Sequence, residues 1–295
     1  QAILAQTLSQ TLPLGHSWRT HPLQLETTSA AIGRACGRTH PLPLDNRSAA
    51  IGQHTCCTWS ANMSVSRLAN TSAAIGELVG PLKVIVHGLE TRRLPTFIEA
   101  VSEVDRAGYI PGVLDSARSI YDQAEDAVNF GRLKGDKLSL DGIACIMQYT
   151  AEATDPPLYK DLNEKVYKKD RTPAKAYGKF LWLFVSTLQK LEPYEGRTIY
   201  RGVKQNLRDQ YIKGRKFVWW GPTSCTVTIE VLQTEEFLGK SGDRTIFAIE
   251  LTQYQAREIT HYSMMRSENE VVMPPGSRFE VVSVLPQEGG LTIVS

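Results

Sequence analysis

The stretch Glu268-Asn-Glu-Val-Val-Met-Pro-Pro275 opens with two carboxylates one residue apart and continues into a β-branched run that Pro274 stops. Such a run reads as a short strand. In a strand, residues i and i+2 face the same way, with Cα atoms roughly 6.5–7 Å apart. Glu268 and Glu270 are therefore expected to aim into one cleft. Two like charges held together are costly, so the pair points to chemistry more than to packing.

Working outward, the neighbouring segments also read as strands. Thr198-Ile-Tyr-Arg-Gly-Val203 precedes Lys216-Phe-Val-Trp-Trp220, which Gly221-Pro222 ends. Ser224-Cys-Thr-Val-Thr-Ile229 follows, and the glutamates after it are read as the start of a helix. Arg244–Leu251 alternates cleanly, Arg278–Leu285 follows the Glu-Asn-Glu strand, and Leu291–Val294 is expected as a last edge strand. Six or seven short strands at this spacing indicate a sheet sandwich or barrel. Two more chemical features lie on them. Arg201, among apolar neighbours, needs an anionic partner, and a phosphate suits its bidentate fork. Gly202 beside it allows close approach to the backbone. Thr223-Ser-Cys-Thr226 clusters hydroxyls at a strand start. Taken singly, each has a plainer explanation as a salt bridge, a turn cap or a solvated face.

Upstream, apolar residues recur at helical spacing across 97–130, with Val113, Ala117, Ile120, Ala124 and Ala127 on one stripe and Pro111 suited to a first turn. Ser139 is a good N-cap for a helix burying Ile143, Ile146 and Met147. Asp155-Pro-Pro157 breaks the chain before a helix from Leu158, and a further apolar helix runs from about Pro173 to Leu191. This region shows no catalytic arrangement, and its single histidine, His87, has no obvious partner.

The first 80 residues are differently made. They hold only eight charged residues and no Lys, Tyr or Phe. Arg19-Thr-His-Pro-Leu-Gln-Leu25 recurs as Arg38-Thr-His-Pro-Leu-Pro-Leu44, and Ser-Ala-Ala-Ile-Gly occurs three times, ending at Gly33, Gly52 and Gly76. With few bulky apolar residues, 1–80 is expected to be a low-complexity, disordered segment. Its Asn-X-Ser/Thr matches at Asn46, Asn62 and Asn70 are read as chance. No CxxC pair or zinc-finger spacing is present, so no metal is expected. Five cysteines, with Cys145 and Cys225 in apolar segments, suit reduced thiols. The net charge of +2 argues against a generally basic nucleic-acid binder. The longest apolar run, Phe180–Val185, falls far short of a membrane span. No signal peptide or GPI-type tail is visible, so a soluble protein is expected, with the cytoplasm favoured.

In their order, these motifs resemble the arginine-specific mono-ADP-ribosyltransferases, marked by an Arg…Ser…Glu-X-Glu series. The resemblance rests on Tyr200-Arg-Gly-Val203, Phe217–Thr226, Phe237-Leu-Gly239, Glu268–Pro275 and Phe279-Glu-Val-Val282. Leu140–Thr150 and Leu158–Asn163 resemble the helical lobe of that family. It implies an α+β, ADP-ribosyltransferase-like fold: a helical lobe (95–195) and a two-sheet β-sandwich core (196–295) around an NAD cleft, together the catalytic domain 95–295. The implied activity is transfer of ADP-ribose from NAD, or NADP, to an accessible arginine of an acceptor protein. Arg201 is then similar to the arginine that binds the NAD phosphates, and Gly202 to its neighbour whose backbone meets the nicotinamide amide. Ser224 matches the serine that orders ribose and glutamate, and Phe237 the ring on nicotinamide. Glu270 matches the catalytic glutamate and Glu268 the one that favours arginine. One departure stands out. Met264 and Met265 occupy the place of the acceptor-loop aromatic, with Tyr262 displaced. NAD hydrolysis is therefore an alternative outcome, and a catalytically silent binding module of the same fold is another.

Overall fold

A computed structural model describes residues 85–86, 89, 93–133, 138–234, 238–251 and 255–295. The expectations for 1–80, for His87 and for Phe237 lie outside the described residues.

Helices fill the first half. Helix α1 (Phe97–Arg106) starts at a capping box: Glu99 N–H donates to Thr96 Oγ1 (3.2 Å), and Thr96 N–H donates back to Glu99 Oε2 (2.9 Å). The helical pattern over 97–130 divides into two helices. Gly108 and Gly112, at φ 70° and 72°, turn the chain between α1 and α2 (Val113–Asn129). Pro111 accordingly sits in this turn rather than inside the helix. All five stripe residues from Val113 to Ala127 are buried. Helix α3 (Leu140–Thr150) begins where Ser139 Oγ accepts from Gly142 N–H at 3.2 Å. Helix α4 (Leu158–Tyr167) follows the Pro-Pro break. A 3₁₀ turn, Pro173–Tyr177, leads into α5 (Gly178–Leu188), so the expected single helix begins with a tighter turn. Ten of the eleven residues of α5 are buried, which places it at the centre of the helical layer, against α1 and α3.

The second half is sheet. Its strands are β1 (Thr198–Val203), β2 (Lys216–Trp219), β3 (Thr223–Thr226), β4 (Arg244–Glu250), β5 (Arg257–Glu258), β6 (Glu270–Met273), β7 (Ser277–Glu280), β8 (Val284–Pro286) and β9 (Leu291–Val294). Seven form one sheet in the order β5-β6-β3-β1-β4-β9-β8, and β2 pairs with β7 in a second, small one. Two sheets were expected; their inequality was not, and neither closes into a barrel. The last strand is not an edge. β9 lies between β4 and β8, parallel to β4, with Ile246 opposite Ile293. Its alternating burial reflects this inner position. The short helix α6 (Ile229–Leu232) starts before the glutamates expected to open it.

The two larger hydrophobic cores among the described residues both reach the large sheet. The helical core reaches it through Ile259 and Val272. The other core joins Ile199, Cys225, Phe247 and Val271 of the large sheet to Trp219 and the partly buried Phe217 and Phe279 of the small sheet. Trp219 meets Phe247 edge-on at 5.5 Å and Phe279 at 4.6 Å, contacts that fix the small sheet against the large one.

Candidate active site

Central strands carry the chemical residues. Arg201 lies on β1 and is wholly buried. Its Nη1 donates to the Ser224 carbonyl at 2.7 Å, and its guanidinium lies 5.9 Å from the Trp219 ring centre. Burial pulls its pKa below the ordinary arginine value, while Cys225, Tyr149, Tyr167 and Tyr211 act against that fall. The carbonyl contact ties β1 to β3 and spares part of the cost of desolvating a cation.

Every residue of β3 is buried. Ser224 Oγ lies 3.4 Å from the Tyr149 hydroxyl of α3, within hydrogen-bond reach. The turn before β3 is fixed from the helical side: Asn163 Nδ2 donates to the Pro222 carbonyl (3.3 Å), and Trp220 N–H donates to Tyr167 Oη (3.1 Å). A Cβ on Gly221 would stand 1.8 Å from Asn163 Oδ1, so glycine is required there. Cys225, between the hydroxyls, has its thiol pushed up to about 12 by burial. A thiol that weakly acidic is no nucleophile near neutrality.

The two glutamates come together, but not on one strand. Only Glu270 belongs to β6, opposite Thr226 of β3. Glu268 ends a 3₁₀ turn, Arg266–Glu268, and Asn269 between them adopts φ 46°, ψ 55°. Asparagine tolerates this left-handed backbone. The strand starts two residues later than expected, opposite the last residue of β3, Thr226, whose Oγ1 donates to the Glu268 carbonyl (2.9 Å). Glu268 remains 2% exposed and Glu270 is fully buried.

Burial raises the Glu270 carboxyl to about 7; the Ser224 hydroxyl opposes the rise, the Glu268 charge adds to it, and the Ser263 hydroxyl opposes it. Ser263 Oγ donates to Glu270 Oε2 at 2.9 Å. Arg201, Ser224, Glu268 and Glu270 thus form one buried cluster. Gly202 adjoins it, and the Leu238 side chain covers its open face: a Cβ there would lie 2.7 Å from Leu238 Cγ. Phe237 falls outside the described residues.

Several contributors escape a linear reading. Tyr149 and Thr150 end α3, a region that showed no catalytic arrangement by sequence. Thr150 Oγ1 accepts from Met264 N–H at 2.9 Å, across 114 positions of chain. The Tyr-Thr pair at a helix end was the available signal, and nothing in its spacing tells which loop it meets. A cavity of about 240 Å³ lies beside this loop, lined among others by Gln123, Asp126, Met147, Ser263, Met264 and Arg266. Among the described residues, no group of three or more His, Cys, Asp or Glu could hold a metal ion, and no helix is long and apolar enough to cross a membrane.

A buried arginine, serine and glutamate on β1, β3 and β6 stand together with a second buried glutamate in the turn before β6. The family model for NAD:arginine ADP-ribosyltransferases matches residues 116–294, more than half of the chain, and the chain belongs to this family. It is an enzyme that transfers ADP-ribose from its substrate NAD to arginine. No curated protein matches the chain. Among solved structures it is similar to the eukaryotic mono-ADP-ribosyltransferase ART2.2, at 18% identity over 66% of this chain and 82% of that one, with a TM-score of 0.49. It is also similar to HopU1 of Pseudomonas syringae pv. Tomato DC3000 (17% identity, 60% and 85% coverage, TM-score 0.45). A third likeness is to Vis of Vibrio splendidus in complex with agmatine (19% identity, 60% and 83% coverage, TM-score 0.43).

Proposed function

We propose that residues 95–295 are the catalytic domain and that Glu270 is its catalytic carboxylate, acting with Arg201, Gly202, Ser224, Phe237 and Glu268. The observation that carries this reading is the convergence of the Ser224 and Ser263 hydroxyls on the buried Glu270 carboxyl beside Glu268.

The bond between the nicotinamide nitrogen and ribose C1 breaks, and nicotinamide departs neutral with the bonding pair. Positive charge builds on the ribose, as in glycoside hydrolysis. Ionised Glu270 stabilises that charge in a site whose low dielectric makes one carboxylate count for more. Ser224 fixes the carboxylate and the ribose. Arg201 pairs with the NAD phosphates, Gly202 presents backbone to the nicotinamide amide, and Phe237 stacks on its ring. Glu268 holds the acceptor guanidinium and takes the proton released as the new C1–N bond forms. In the state described here Leu238 covers Gly202, so NAD displaces that side chain as it binds.

A second outcome has its own support. Met264 is 39% exposed where an acceptor-loop aromatic was expected, and Tyr262 packs against the helical core instead. Water then competes with arginine for the ribosyl cation, giving NAD hydrolysis. Two variants test the division of roles. Glu270→Gln is expected to abolish both nicotinamide release and agmatine labelling, whereas Glu268→Gln is expected to lose labelling and keep some release. Nicotinamide release by Glu270→Gln at the unmodified rate would remove Glu270 from the mechanism. The acceptor is an accessible protein arginine, and the cytoplasm is the proposed compartment.

A further inference from the structure

Ser263 stands between the Glu270 carboxyl and the loop that carries Met264 and Met265. Its oxygen accepts from Met265 N–H at 3.0 Å. An amide can only donate, so the serine proton is left for Glu270 Oε2, 2.9 Å away. The bonds continue on both sides. Glu268 N–H donates to the Met265 carbonyl (3.1 Å), Ser263 N–H to the Ile259 carbonyl (2.9 Å), and Ile259 N–H to the Glu270 carbonyl (3.0 Å). Met264 N–H is held by Thr150 of α3. One buried hydroxyl, 4% exposed, thus joins a carboxylate on β6 to the turn that ends in Glu268. Ser263 also lines the cavity beside that turn.

We propose that Ser263 is a positioning residue: it orients the Glu270 carboxylate and holds the 262–268 loop in register with it, so that the ribosyl group meets arginine rather than water. This rests on the assignment of Glu270 as the catalytic carboxylate. The groups facing Glu270 are the Ser224 hydroxyl and Cys225 of β3, Glu268 of the preceding turn, and Ser263 itself. Ser263 connects it to the loop through a side-chain bond on each side, to Glu270 Oε2 and from Met265 N–H.

The test uses the full chain with NAD and agmatine, following nicotinamide release and agmatine labelling across pH. Ser263→Ala removes a donor that favours the ionised carboxyl. The acid limb of nicotinamide release is expected to move up by about one pH unit. At a pH above both limbs, labelling is expected to fall several-fold relative to release. A merely structural role would lower both together and leave the limb in place. If a folded Ser263→Ala shows an unmoved limb and an unchanged labelling-to-release ratio, the inference is overturned. Should the alanine variant not fold, Ser263→Thr and Ser263→Val, matched in shape and differing in the hydroxyl, decide the question. Threonine should keep the unmodified limb and ratio while valine shifts both; identical behaviour of the two overturns the inference. Glu270→Gln runs alongside. If it still releases nicotinamide, the assignment of Glu270 fails; if it is silent while Ser263 variants shift nothing, only the present inference fails.

Discussion

Acidification from pH 8 to pH 6 perturbs Glu270, whose carboxyl burial raises toward neutrality. Burial, reinforced by the Glu268 charge, brings Glu270 to about 7 against its ordinary value of 4.5. In the proposed mechanism the ionised form is the one that stabilises the ribosyl cation. For a carboxyl at this position, about nine-tenths is ionised at pH 8 and about one-tenth at pH 6. Nicotinamide release should therefore drop about ninefold over that interval. The quantity to follow is kcat/KM for NAD, because it reports the free enzyme, the state in which Glu270 is buried as described. An ordinary carboxyl would be ionised at both ends and leave the rate flat. Two variants give the direction an internal control. Glu268→Gln removes a like charge and should move the limb to lower pH, opposite to the shift expected for Ser263→Ala. A limb below pH 5 in the unmodified enzyme would refute the reasoning, as would a Glu268→Gln shift toward higher pH.

The same group affects stability. Because Glu270 binds its proton more tightly folded than unfolded, its contribution is most favourable below the unfolded value and is lost as pH rises toward the folded value of about 7. Glu270→Gln should thus melt higher than the unmodified protein at pH 8, by on the order of 3 kcal/mol, and the gap should close below about pH 4.5; thermal melts across pH check this. Gly221→Ala drives a Cβ against Asn163 Oδ1 and should cost about 3 kcal/mol in denaturant unfolding, because the amide must abandon the Pro222 carbonyl. Arg201→Lys keeps the charge but loses the planar fork, so steady-state kinetics should show kcat/KM for NAD reduced roughly 10–100-fold.

Local pattern carried much of the fold. The stripe on α2, the Ser139 cap and the Pro-Pro break each depend on neighbours within one or two turns, and each stands as read. The strands of Arg201 and Ser224 were legible for the same reason. What was not legible depends on partners far along the chain. β9 has the length of an edge strand, and only its parallel pairing with β4 places it inside the sheet. The pairing of β2 with β7 in a separate sheet is likewise a tertiary choice, made by Trp219, Phe217 and Phe279 stacking together. In Glu-Asn-Glu, strand periodicity gave the right neighbours by the wrong route: a left-handed Asn269 brings both carboxylates inward where an extended one was expected. The residues around the cluster that were missed, Tyr149, Thr150 and Ser263, are ordinary polar residues in sequence. Their meaning comes from bonds to Ser224, Met264 and Glu270 that folding creates.

The central claim is that this buried cluster moves ADP-ribose from NAD onto arginine. The most direct measurement incubates the purified full chain with NAD labelled in its ADP-ribose half and with agmatine, and follows free nicotinamide and labelled agmatine together. Nicotinamide should appear with label on agmatine, and the labelled fraction should rise with agmatine concentration as it outcompetes water. No nicotinamide release would contradict the claim outright, and release without label on agmatine or on any protein arginine would contradict its transfer half.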